Sequence, residues 1–360
     1  MRCTTNGTDP TSTTPAWTQT HIWFIAGLDI KCATFVNGIL SGSIQTFTYS
    51  YSVQESGQTL CYNGVGGTIS CVGTGQDGEF SNGVARTYTD NGDGTITDNT
   101  TSLVWLRCTV GQTGSSCATG FPATGLNWTT ATGTTCSSQT TASRIWRLPT
   151  SVELETLPDY GTSNPAINTV FFPNTVANNY WSSTSYTPDT NNAWYVEFSG
   201  GLVNFNSKLG MYRVRCVSGE MKSNSFQLTD NGEGTVKDRA TGLVWQKCSS
   251  GYTNTTNCTG GSATTITWSG ALSYCNSLGL AGRTWRLPSV KELNSLVDKS
   301  LSTSPTINTT IFPNTSPNFY WSSTTISSST MIAWVVFFLN GNVNNSNKTD
   351  NNYVRCVSGP

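Results

Sequence analysis

The feature that most constrains this chain is an internal duplication. TDNGDGTITDNTTSLVWLRC, beginning at Thr89, returns as TDNGEGTVKDRATGLVWQKC, beginning at Thr229, and Trp105 and Trp245 stand 140 positions apart. The echo continues at nearly constant offset through Trp128 and Trp268, IWRLPTSVELETL and TWRLPSVKELNSL, FFPNT and IFPNT, YWSST at Tyr180 and Tyr320, and VRCVSG at Val214 and Val354. Solenoid repeats run only about 20 to 50 residues, so a period this long reads as tandem globular domains. Their expected extents are 84–220 and 221–360. Residues 1–83 match neither copy and read as a third, small β-rich unit, since QTFTYSYSV from Gln45 alternates aromatic and β-branched residues between Gly and Asn turns.

The twelve cysteines follow the same division. Cys108, Cys117, Cys136 and Cys216 recur as Cys248, Cys258, Cys275 and Cys356, while Cys3, Cys32, Cys61 and Cys71 belong to the N-terminal unit. The short spacings favour local bridges Cys108 to Cys117 and Cys248 to Cys258, which leaves Cys136 with Cys216 and Cys275 with Cys356. The N-terminal connectivity stays open. An even, matched set of cysteines points to an oxidising compartment, so the chain reads as secreted or displayed on a cell surface.

Composition narrows the function classes. Only 11% of residues are charged and the net charge is -1, so no field attracts a nucleic-acid backbone, and no nucleic-acid partner is expected. His21 is the only histidine, which excludes His-rich zinc sites and leaves little room for a Ser-His-Asp or Cys-His group. It reads as a partly buried ring in an aromatic strand. The stretch from His21 to Leu40 holds Asp29, Lys31 and Asn37, too polar for a membrane span, and no transmembrane segment is expected. The opening MRCTTNGTDP has no apolar core behind a basic start, so the numbering is expected to begin after any leader.

Within each copy, FQLTDNGEGTVKDRATGLVW reads as a hairpin turned by Asn-Gly and Glu-Gly. A first helix is expected after Trp268 from the spacing of Ala271, Leu272, Cys275 and Leu278, and a second after the capping boxes Thr150/Glu153 and Ser289/Glu292. Strands follow in YWSST, AWVVFFL and YVRCV. The expected class is α+β, two helices against a twisted antiparallel sheet in each copy.

TDNGDGTITDNTTSLVW, the WRLP element followed by Glu-Leu, YWSST and YVRCV together resemble the Legionella collagen-like protein C-terminal domain family, over nearly the full length of both copies. The resemblance implies a C-type-lectin-like fold in which a cysteine of the first helix bridges to the last strand. It also implies a bacterial surface protein, the founding member being an adhesin for sulfated glycosaminoglycans. Residues 1–83 lie outside it.

Candidate sites divide into three. The acidic loops Asp90, Asp93, Asp98 and Asp230, Glu233, Asp238 raise calcium, but Gly94 and Gly234 fall four residues after the first Asp rather than five, which suits a hairpin and not an EF-hand. No resident cofactor is expected. Arg144, Arg147, Arg283 and Arg286 flank Trp146 and Trp285, either to meet an anion or to satisfy loop carbonyls. The final strands, VEFSGGLVNFNSKLGMYRVRCV and VFFLNGNVNNSNKTDNNYVRCV, share a frame interrupted at alternate positions. Alternation places one set on an open face, so Tyr195, Glu197, Phe205, Lys208, Tyr212, Asn340, Asn342, Asn345, Lys348, Asn351 and Asn352 are the expected ligand-binding residues. This layout also resembles the variable region of lectin-like proteins diversified by retroelements.

No hydrolase, metalloprotease, P-loop or dinucleotide motif stands out, and each copy's cysteines have bridge partners, so catalysis is not expected. The reading is an extracellular adhesin binding a host, matrix or cell-surface glycan or protein. The alternative is a structural subunit of a filament, sheath or coat assembled through the N-terminal unit.

Overall fold

In the computed structural model, residues 1–4, 9–16, 28–49, 53–120, 125–221 and 227–359 are described; His21 lies outside them. The hairpin of each copy forms as its glycines dictate. Gly94 and Gly234 take φ of 86° and 80°, closing Tyr88–Asp90 on Thr95–Asp98 and Leu228–Asp230 on Thr235–Asp238. Val104–Leu106 and Val217–Ser218 complete a four-stranded sheet in the first copy, and Val244–Gln246 with Val357–Ser358 do so in the second.

The other strands of the copies do not stay apart. Asn179–Ser185, Asn192–Glu197 and Val203–Ser207 join Asn342–Asn347, Ser329–Phe337 and Phe319–Ile326, in that order, into one six-stranded antiparallel sheet. The seam is the pair Val203 and Val343. One hydrophobic core runs through both copies, from Trp105, Tyr180 and Val203 to Trp245, Tyr320 and Val343. Separate clusters lie on the outer flank of each copy, around Trp146 and Trp181 in one and around Trp285 and Trp321 in the other.

The expected pair of lectin-like domains, two helices on a sheet in each copy, is therefore overturned. The chain is mostly small antiparallel sheets in a four-blade, propeller-like arrangement, with few helices. Those helices are short: Trp128–Thr132 and Ser151–Leu154 in the first copy, Trp268–Asn276 and Val290–Asn294 in the second. Local chemistry explains the shortness. In the first copy Gly133 and a run of threonines follow the first turn, and both residue types resist helical propagation. Both capping boxes do form, with Thr150 and Ser289 accepting from the Glu153 and Glu292 amides.

The six disulfides are Cys3–Cys32, Cys61–Cys71, Cys108–Cys117, Cys136–Cys216, Cys248–Cys258 and Cys275–Cys356, with no free cysteine. Arg2–Thr4, Leu28–Val36 and Ile39–Tyr49 form a three-stranded sheet. The following stretch packs on both copies. Gln54 donates to Asp98 at 3.2 Å, the Tyr160 amide donates to the Ser56 carbonyl at 2.9 Å, and Arg86 pairs with Asp159 at 3.0 Å. On the second copy, the Gln58 carboxamide and the Thr325 backbone exchange two hydrogen bonds, each 2.7 Å.

Candidate functional site

Pairing across the seam decides where the expected binding residues point. Residues directly opposite each other in an antiparallel pair share a face. Trp194 opposes Phe205 and Trp334 opposes Asn345, while Tyr195 opposes Asn204 and Val335 opposes Asn344. Phe205 and Asn345 thus lie on the opposite side of the sheet from Tyr195 and Glu197, and the expected residues do not form one face. Phe205 stacks on Tyr186 with ring centroids 3.7 Å apart, beside Trp194. Asn342 is buried at the seam, where its amide donates to Asn204 Oδ1 at 2.7 Å, and buried Asn352 donates to Ser346 at 3.0 Å. Asn345 and Asn351 are exposed and Asn340 is half-buried.

Tyr195, Lys208 and Tyr212 do come together. Tyr212 lies 4.3 Å from Trp181 and 4.9 Å from Tyr195, and Lys208 Nζ sits 3.9 Å above the Trp128 ring while donating to Ser185 at 2.8 Å. Burial, with Tyr212 beside it, pushes the Tyr195 hydroxyl up to about 12. Leu209, 83% exposed, and Met211 flank the group. A cation on an indole beside half-buried tyrosines gives contact area with a polar rim.

The second copy repeats the lysine-on-indole contact under a cover, with Val335 and Asn352 where the first has Tyr195 and Tyr212. Lys348 Nζ again lies 3.9 Å above an indole, that of Trp268, but both residues are buried and Tyr62 comes within 5.7 Å of the ammonium. Lys348 makes no hydrogen bond through Nζ, and burial lowers its pKa to about 8. The cover continues along Phe319–Ile326, an edge of the six-stranded sheet. Thr325 binds Gln58 as above, Thr324 donates to Asp77, and Thr330 donates to the Gly66 carbonyl at 2.8 Å. Asn82, with its amide oxygen turned inward, accepts from Arg286, and Phe80 lies 5.8 Å from that guanidinium. Burial beneath this network pushes the Asp77 carboxyl from 3.8 up to about 6.

The first copy has no such cover among the described residues. Ser183, Thr184 and Ser185 are half-buried where Thr324 and Thr325 are 0% exposed, and the Arg147 side chain is 36% exposed against 8% for Arg286. An open pocket of about 540 Å³ stands there, lined by Thr132, Arg147, Leu148, Thr150, Glu153, Ser183, Glu220 and Met221. Sequence reasoning missed Gln58, Asp77 and Asn82, because nothing local to a Gly-rich loop marks which surface it will cover.

The remaining candidates are accounted for within the fold. Arg147 and Arg286 each form a two-bond pair with the capping-box carboxylates Glu153 and Glu292, whereas Arg144 and Arg283 are exposed. The hairpin carboxylates turn inward on their own loops: Asp90 accepts from the Gly92 amide and pairs with Arg107, Asp93 accepts from Thr95, and Asp98 accepts from the Thr100 amide. In the second copy Asp230 likewise accepts from Gly232 and pairs with Lys247. Among the described residues no group of His, Cys, Asp or Glu could hold a metal ion. Arg215 and Arg355, in the frame shared by the final strands, are each fully buried, and each donates to two backbone carbonyls and a threonine hydroxyl in its own copy.

Six disulfides fit an oxidising, extracellular compartment rather than the cytoplasm. No helix among the described residues is long and apolar enough to cross a membrane. No curated protein and no solved structure matches the chain. The family model described as the Lcl C-terminal domain matches twice, over residues 94–218 and 234–358, a family consistent with a surface or extracellular protein. With both matches falling on the duplicated halves that build the shared sheet, the chain belongs to the Lcl C-terminal domain family, in two tandem copies.

Proposed function

We propose that this chain is an extracellular, surface-associated adhesin that binds a macromolecular ligand, a glycan or a protein, on the open face of its first family copy. One observation carries the reading. The indole-lysine contact and adjoining strand edge occur in both copies, yet the chain itself buries Trp268, Lys348, Thr324 and Thr325 in the second, while Trp128, Lys208, Thr184 and Ser185 stay half-buried in the first, beside an open pocket. Tyr195, Tyr212 and Trp128 supply contact area there, and Lys208 supplies charge. The role is recognition and not catalysis.

The test is binding of the oxidised protein to host cells and to arrays of glycans and matrix proteins, with and without EDTA and at raised salt. Leu209→Asp with Met211→Asp should cut binding at least tenfold while the melting temperature holds. Thr349→Asp with Asn351→Asp, the equivalent change in the second copy, should leave binding intact. Equal binding by all three proteins would reject the first-copy face.

A second reading, a structural subunit of a filament, sheath or coat, draws on the N-terminal sheet, where Val36, Ile39 and Leu40 are exposed at the hairpin tip. Light scattering across a concentration series separates the two, since a monomer at all concentrations removes the structural reading.

A further inference from the structure

The covered second copy shows what chemistry the open first copy is shaped to hold. We infer that the first-copy face takes an extended segment of another polypeptide, one that resembles residues 56–82 of this chain. This deepens the proposed ligand-binding role and rests on it.

The receptor groups match position by position. The strand edge at Thr325, which exchanges two hydrogen bonds with a carboxamide, corresponds to Ser185, whose backbone no side chain occupies among the described residues. Both residues lie opposite the duplicated alanines, Ala193 and Ala333, so the backbone groups that Thr325 turns to Gln58 correspond to outward-facing ones at Ser185. Thr324, the hydroxyl donor to Asp77, corresponds to Thr184. Arg286, which meets Asn82 and Phe80, corresponds to Arg147. Unfilled sheet edges with a side-chain pocket beside them are the setting in which extended peptides bind.

Among the described residues the first-copy pocket carries a charged group, Glu220, whose counterpart in the duplicated sequence is Pro360, a residue outside the described ones. A carboxylate placed there as Asp77 is placed would face both Glu153 and Glu220. The segment that fits therefore carries an uncharged hydrogen-bonding side chain, an amide or hydroxyl, in place of Asp77, with a carboxamide before it and an aromatic residue after it.

This chain's own segment is not the occupant. Val53 lies in the shared core and the Val84 amide bonds the Val53 carbonyl at 2.9 Å, so both ends are tied, and transfer to a second molecule would uncover its own second copy.

The test titrates the full-length oxidised protein with a fluorescent synthetic peptide of residues 56–82 carrying Asp77→Asn and the Cys61–Cys71 bridge. The expected result is saturable binding of one peptide per chain, with a Kd on the order of micromolar. The Asp77-containing peptide should bind at least fivefold more weakly at pH 8. Thr132→Trp, at an exposed helix position on the pocket wall, should abolish binding without lowering the melting temperature. No saturation at about 1 mM peptide, or binding insensitive to Thr132→Trp, would overturn the inference. If a glycan occupies the face in the peptide's place, competing with it or binding where it does not, the ligand class is wrong and the proposed function stands. If the peptide fails and the Leu209 and Met211 variants also bind cells normally, that function falls too.

Discussion

Val203 and Val343 pair in antiparallel register at the centre of the six-stranded sheet, and at 140 positions apart each is the other's duplicate. A contact between equivalent residues of two copies is what a twofold axis produces, so the duplicated halves meet as a symmetric dimer would, within one chain. The neighbouring contacts cross the seam likewise: Tyr160 meets Trp334 edge-on at 5.2 Å, and Lys299 sits 4.8 Å above Trp194.

A shared sheet and core make the two copies one cooperative unit. Calorimetry of the oxidised protein should show a single transition for both, with calorimetric and van't Hoff enthalpies in agreement. Val343→Asp, which places a carboxylate at a fully buried seam, should cost about 4 kcal/mol and lower the melting temperature of both copies together. Two separate transitions in the unaltered protein would show that the seam couples nothing.

Gly341 turns the chain into the seam strand with φ of 85°, and a Cβ there would stand 2.8 Å from Val297 Cγ1 and 3.5 Å from the Trp194 ring. Gly341→Ala should therefore cost about 2 kcal/mol, from positive-φ strain and overpacking together. Chemical denaturation checks this, with an unchanged midpoint counting against the packing described.

The Asp77 carboxyl reports on the cover. An acid whose folded pKa, about 6, exceeds its ordinary 3.8 keeps its proton longer in the folded state. Its contribution to stability is greatest below about pH 4, falls as the pH rises to about 6, and stays low above that. Burial sets the shift, with Glu292 adding to it and Ser56, Thr324 and Arg286 opposing it. Hydrogen exchange should show residues 56–82 opening more readily at pH 7 than at pH 4.5, and Asp77→Asn should flatten that dependence.

Lys348 holds an ammonium without a hydrogen-bond partner against Trp268. A base whose folded pKa, about 8, lies below its ordinary 10.5 contributes stability that rises as the pH climbs through that window. Lys348→Met keeps the stem on the indole and removes the charge, so at pH 7 it should stabilise the protein by roughly 1 kcal/mol. Thermal melts at pH 7 and pH 10 test both statements, because the gain from Lys348→Met should shrink at the higher pH.

The local pieces of the architecture were legible in the sequence, but the expected two-helix lectin-like fold was not what they built. The duplication, the within-copy bridges, the Asn-Gly hairpins and the capping boxes are local or periodic signals, each tied to a short-range requirement such as a positive φ or an unsatisfied helix amide. The site was legible only in part. Val203 belongs to the frame expected to hold the sheet, and it and Val343 are buried there, while of the residues expected at the site Tyr195, Lys208 and Tyr212 lie together. Asn342, Asn352 and Lys348, expected at an open face, are buried, because a period of two says that a strand has two faces but not what covers either.

Two copies, the bridges each closes and the places where its turns fall all follow from residue order alone. That the copies share a sheet, that their helices stop after one or two turns, and that one lysine-indole contact is buried while its duplicate is half-exposed follow from the assembled fold. The physical reason is that hydrophobic burial and strand pairing are non-directional in sequence. Equal strands offer equal hydrogen-bonding edges, and whether Val343, Gln58 or a foreign chain fills an edge depends on what the rest of the fold brings within reach.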